Sequence, residues 1–113
     1  MTDIPFGAIV LADFPFTDLS ATKRRPALVV STNNAARTDI VVAFITSVPQ
    51  SHPDAAPIAP GRQNGLKHQS SVRFDKIATV SKRIIAGRIG SADPDWLKLQ
   101  RTTFFSVFGF DRP

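Results

Sequence analysis

Lys23, Arg24 and Arg25 stand side by side immediately before Pro26 and the apolar run 26–32 (PALVVST). Arginine presents a planar fork of donors that grips phosphate through paired hydrogen bonds. At the start of a strand, successive side chains point to opposite faces, so one arginine would turn inward and the other outward. The run equally suits a solvated turn that keeps a sheet edge charged. Thr46 and Ser47 close the next apolar run. Their hydroxyls could face a groove at the strand exit, or bond the local backbone. Ser70, Ser71 and Arg73 make a third polar group, a weak signal taken alone.

The usual catalysts are sparse. His52 and His68 are the only histidines. A histidine acid–base pair needs both rings beside one phosphate. These two fall in or just after a Pro- and Gly-rich stretch, where exposed loop histidines are the simpler expectation. No HExxH pattern, histidine cluster or dense carboxylate pair points to a metal, and neither GxSxG nor a P-loop is present. Asp93 and Asp95 flank Pro94 at an expected helix start, where capping and dipole compensation account for them. No metal and no cofactor are expected.

The elements that must position these residues follow from apolar patterning. Residues 7–14 (GAIVLADF) read as a buried strand, and 15–25 as a loop rich in Pro, Asp, Ser and Thr. Residues 26–32 form a second strand, with Pro26 at its beginning because it lacks an N–H. A turn at 33–39 leads to the most apolar strand, 40–48. Residues 50–65 are a Pro- and Gly-rich excursion with room for one short edge strand. Residues 70–74 and 76–81 are two short strands or one bent strand, and 84–90 (IIAGRIG) a glycine-punctuated tight connection. A helix is expected over 95–108, with Trp96, Leu99, Thr103 and Val107 near one face. The resulting fold class is mainly β: a small barrel of five or more strands with a C-terminal α-helix, one domain over residues 1–113.

Bulk properties narrow the partners. The net charge is +5, and every acidic residue is aspartate. A basic excess raises the chance of a polyanionic partner, because phosphate binding releases condensed counterions. With no cysteine, disulfides and thiolate sites are excluded, which fits a cytoplasmic protein. No basic n-region precedes an apolar run at the N-terminus, so no secretory leader is expected. The apolar runs are far shorter than the roughly 20 residues of a membrane span, so no membrane association is expected.

Taken in order, these segments carry a resemblance. Residues 7–10 (GAIV), 13–19 (DFPFTDL) and 23–30 (KRRPALVV) resemble the first third of the MazF/PemK growth-inhibitor family, whose hallmark is an Arg-Pro followed by an apolar strand. Residues 43–47 (AFITS) resemble the family's next strand, which ends in Thr or Thr-Ser. Residues 71–80 resemble its later S-V…I-x-T-V segment, and Ile89-Gly90 and the closing helix follow in order. The resemblance implies an SH3-like or CcdB-like β-barrel and a homodimer with RNA in a groove at the interface. It implies the toxin of a type II toxin–antitoxin system: a metal-independent endoribonuclease that cleaves single-stranded RNA at a short sequence by 2′-OH attack. Such a toxin inhibits translation and growth and is neutralised by a cognate antitoxin.

The family's catalytic arginine and threonine correspond to Arg25 and Thr46. Ser47, Ser71 and Arg73 match positions near the groove, and Lys23 and Arg24 are candidates for steering phosphate. Phe16 is a base-stacking candidate with a core or hinge role as its alternative. Two departures stand out. Ala8 replaces the acidic residue that many relatives carry after the first glycine, and Lys23-Arg24 stand where some place an acidic or polar residue. Two other functions remain open: a non-catalytic toxin of the CcdB type that inhibits a protein such as gyrase, and a relative that binds RNA without cutting it.

Overall fold

The computed structural model describes residues 4–15 and 22–113. Six antiparallel strands form one sheet in the order β4-β5-β3-β2-β1-β6. They are β1 (Ala8–Pro15), β2 (Thr22–Val29), β3 (Asp39–Thr46), β4 (Ala55–Ile58), β5 (Ser70–Ser81) and β6 (Ile85–Ser91). Two short helices follow, α1 (Pro94–Leu99) and α2 (Arg101–Val107). The mainly-β class expected from the sequence is borne out. The sheet is open, however, because its edges β4 and β6 are not paired with each other.

Continuous apolar runs fold as strands here because both faces of the sheet are covered. Ile9, Leu28, Ile45, Val72 and Phe74 lie in one buried cluster, against which Trp96, Leu97, Phe104 and Val107 pack. Val10, Ala27, Val29, Ile40 and Val42 lie in the second. Each large aliphatic side chain so buried contributes roughly 1.5–3 kcal/mol. Between strands, a buried polar knot ties the chain's beginning to the sheet. The Ser31 hydroxyl donates to Asn34 Oδ1 at 2.6 Å, and Asn34 Nδ2 donates to the carbonyls of Ile4 at 2.7 Å and Ser31 at 3.0 Å.

Several boundaries differ from the sequence reading, each for a local reason. β2 begins at Thr22 rather than Pro26, because 22–25 pair with β1 as a two-stranded arm: Ala12 faces Arg25 and Asp13 faces Arg24. Pro26 sits one residue before the β2–β3 ladder starts at Ala27, where a missing N–H is tolerated. Residues 85–91 are an edge strand, not a tight connection. Gly90 is required there because a Cβ would collide with the Gln63 carbonyl, so the glycine marks close backbone approach rather than a turn. The expected single C-terminal helix is two, broken at Gln100, where ψ is −2°. Leu99, expected on the buried face, is 75% exposed, and Phe104 packs on the core beside Trp96, Leu97 and Val107.

Candidate functional site

β5 is the long, bent element of the sheet, and its bend builds the site. Arg73 pairs with Phe44, but Ile77 pairs with the very next residue, Ala43, so residues 74–76 bulge out of the ladder. Bulges re-aim side chains and sharpen local twist. Phe74 turns into the core and meets the Phe104 ring edge-on at 5.5 Å. Asp75 and Lys76 turn outward. The chain between β3 and β4 is tied back to this bulge, since the Phe74 N–H donates to the Asp54 carbonyl at 3.2 Å.

A groove of about 300 Å³ opens beside the bulge, lined by Arg25, Phe44, Thr46, Gln50, Arg73 and Lys76, among others. Arg25 reaches it from β2 and Thr46 from the end of β3. The β2–β3 ladder ends at the pair Ala27–Phe44, and Arg25 and Thr46 lie just beyond it, each on its own strand. The structure thus brings together Arg25, Thr46 and Arg73 from the sequence expectations. Thr46 has a local role as well: its hydroxyl oxygen accepts the Val48 N–H at 3.1 Å.

Arg73 is tightly constrained in the groove. Its Nε and Nη2 donate to the two oxygens of Asp75 at 2.8 and 2.6 Å, and Nη1 donates to Gln50 Oε1 at 2.8 Å. The Arg73 hydrogen bond and charge hold the Asp75 carboxyl below the usual aspartate range, and Asp75 in turn raises the guanidinium pKa. Both groups are therefore charged at neutral pH.

The remaining candidates lie elsewhere. Arg24 is exposed and forms a forked pair with Asp13, its cross-strand partner, at 3.0 and 3.3 Å. That hydrogen bond holds the Asp13 carboxyl below its usual range. Ser47 is exposed and does not line the groove. Ser71 faces Thr46 across the β3–β5 ladder, half-buried. Phe16 and the Lys23 side chain fall outside the described residues. Five groove residues were not anticipated: Phe44, Ile45, Val48, Gln50 and Lys76. Gln50 opens the Pro- and Gly-rich stretch, and nothing in that composition singles it out.

His52, Asp54 and Asp75 bring ligand-type atoms within 4.8 Å of one another. Two of the three residues already have hydrogen-bond partners. Asp75 is engaged by Arg73, and His52 Nδ1 accepts the Asp54 N–H at 3.1 Å. The cluster anchors the 50–54 segment against the bulge. A larger cavity, about 620 Å³, lies on the helix side among Phe6, Leu28, Phe74, Leu97, Phe104 and Phe105. Its aromatic lining suits apolar contacts, so the smaller cationic groove is the better candidate for phosphate chemistry.

The fold and groove define a small β-sheet protein with arginines and a threonine hydroxyl gathered at the exit of the central strands. The family described as PemK-like, MazF-like toxin of type II toxin–antitoxin systems matches residues 6–103, and the chain belongs to that family. It is a toxin of the type II toxin–antitoxin class. Among curated proteins none matches. Solved structures share the fold. A mycobacterial endoribonuclease in complex with its cognate antitoxin superimposes with a TM-score of 0.80 at 20% identity, covering 98% of this chain and 100% of that one. The Mycobacterium tuberculosis toxin MazF-mt6 gives 0.77 at 21% identity, covering 90% and 96%. MazF from Deinococcus radiodurans gives 0.75 at 24% identity, covering 94% and 96%. No helix among the described residues is long and apolar enough to cross a membrane.

Proposed function

We propose that this chain is a sequence-specific endoribonuclease that cleaves single-stranded RNA without a metal, and that a cognate antitoxin restrains it. The observation that carries the reading is the meeting of Arg25 and Thr46, from separate strands, in one groove with Arg73 and Lys76. In the reaction, the ribose 2′-oxygen attacks the adjacent phosphorus and the bond to the 5′-oxygen breaks. The products are a 2′,3′-cyclic phosphate and a 5′-hydroxyl. The 2′-OH proton leaves to a base, and the departing oxygen gains one. Negative charge grows on the phosphate oxygens in between, and Arg25 meets it with directed, charge-assisted hydrogen bonds. Thr46 holds a phosphate oxygen in line through its remaining hydroxyl hydrogen. A permanently charged arginine is a poor base, so proton removal falls to another group or to water.

Antitoxin binding and homodimerisation belong to the same reading; the similar mycobacterial endoribonuclease has been solved with its cognate antitoxin, and the Deinococcus radiodurans MazF with MazE. The test is incubation of the purified protein with a long RNA in EDTA. Discrete fragments ending in cyclic phosphate are expected, and intact RNA at high protein excess refutes the reading. Arg25→Ala should lower kcat by roughly 10²–10³, the usual cost of one transition-state donor.

A further inference from the structure

Arg73 is held at all three nitrogens of its guanidinium. A guanidinium has five N–H donors in a planar fork. Asp75 and Gln50 engage three of them, one on each nitrogen. Gln50 is itself held, because its Nε2 donates to the Val48 carbonyl at 3.0 Å, which fixes which way its amide points. The Arg73 side chain is only 16% exposed, whereas the forked Arg24–Asp13 pair sits at 57% and 47%. The β5 bulge creates this arrangement, since it lets Asp75 leave the ladder two residues after Arg73. A carboxylate in contact with the guanidinium also offsets its charge. A phosphate that approaches Arg73 approaches Asp75 too, and gains less than it would from an uncompensated cation.

Resting on the ribonuclease reading, we infer that Arg73 is a specificity-determining residue that reads a nucleobase, with Asp75 and Gln50 as its positioning residues. Nη1 and Nη2 each keep one N–H, so the ligand edge must offer two neighbouring acceptors. The guanine edge (O6 and N7) does so, and so does the cytosine edge (N3 and O2). Adenine and uracil alternate donors with acceptors on their edges. Unstacked bases in single-stranded RNA expose these edges to side chains. A wrong base leaves half-buried donors unpaired, which makes rejection strong. Arg25 and Lys76 bring further positive charge to the same groove for the RNA backbone.

Cleavage of a randomised RNA pool, read by sequencing, and salt-dependent binding of short RNAs test this together. The wild-type protein should demand guanine or cytosine at one position beside the cut. Asp75→Asn should bind all RNAs more tightly at low salt, with a salt slope steeper by up to about one, while the preference at that position falls roughly ten-fold or more. Arg73→Lys keeps the charge and should lose the same preference without steepening the slope. Asp75→Glu should retain part of it. An intact preference in Asp75→Asn would overturn the inference, and tighter binding of every RNA beside it would mark Arg73 as a phosphate contact. If Asp75→Asn does not fold, Gln50→Ala should lower the same preference with no change in the salt slope, and an unchanged preference there overturns the inference equally. A wild-type protein that cuts but accepts adenine or uracil at every position also overturns it. One that cuts no RNA refutes the ribonuclease reading instead.

Discussion

Replacing Thr46 by valine removes one hydroxyl and keeps the branched shape that strands favour. The hydroxyl has two separable roles. Its oxygen accepts the Val48 N–H at 3.1 Å, at a half-exposed position where water can take over. Losing that bond costs about 1 kcal/mol of stability. Its hydrogen is still available to donate, and in the proposed reaction it goes to a phosphate oxygen. A hydrogen bond to a charged group contributes about 1.5–3 kcal/mol. At about 1.4 kcal/mol per decade, its loss from the transition state lowers kcat roughly 10- to 100-fold. Single-turnover cleavage of a labelled RNA, with urea unfolding of the same variants, separates the two roles. Thr46→Val should be slow and slightly less stable; Thr46→Ser should approach wild type on both measures. A valine variant that is less stable by about 1 kcal/mol yet cleaves at the wild-type rate would reduce Thr46 to a turn bond and refute its part in catalysis.

Other outcomes follow from the scaffold. Asn34→Ala leaves the Ser31 hydroxyl hydrogen and the Ile4 carbonyl without their partner, so urea unfolding should show a loss of roughly 2–3 kcal/mol; a loss near zero would mean that water fills the gap. Gly65 has φ +73° and no room for a Cβ against the Ile89 carbonyl, while Gly61 has nothing within 4 Å. Gly65→Ala should therefore destabilise by about 1–3 kcal/mol or more and Gly61→Ala hardly at all, and equal melting temperatures would contradict this. Asp75 has its pKa depressed by Arg73. A depressed carboxyl adds stability above its unfolded pKa of about 3.9 and loses it as pH falls through the lower folded value. Urea-derived stability should thus decline as pH drops below about 5, and Asp75→Asn should flatten part of that decline; an identical acid profile would argue against the pair.

The strands rich in β-branched residues were legible from the chain alone, because apolar runs bounded by Pro, Gly and Asn have few alternatives to a buried strand. β1 and β3 lie within two residues of their expected bounds. The family pattern also picked out Arg25, Thr46 and Arg73 in advance, and the structure gathers them in one groove. The glycine-rich edge strand β6 was not legible, since local composition cannot separate a turn from a strand approached closely by another backbone. Nor was the break at Gln100, a residue whose type carries no helix-ending signal.

What the sequence determined by itself was the set of chemical groups and the strands that carry them: a basic Arg-Pro strand start, a hydroxyl at the end of the central strand, and an arginine on a later one. What only the tertiary structure decided was how those groups are held. Arg24 and Arg25 are neighbours of one type, yet β1 gives the first an aspartate partner while the second reaches the groove. Arg73 owes its orientation to a three-residue bulge and to Gln50, more than twenty residues away in the chain. Register, bulge and loop return are long-range properties, and no local pattern encodes which carboxylate or amide a given guanidinium will meet.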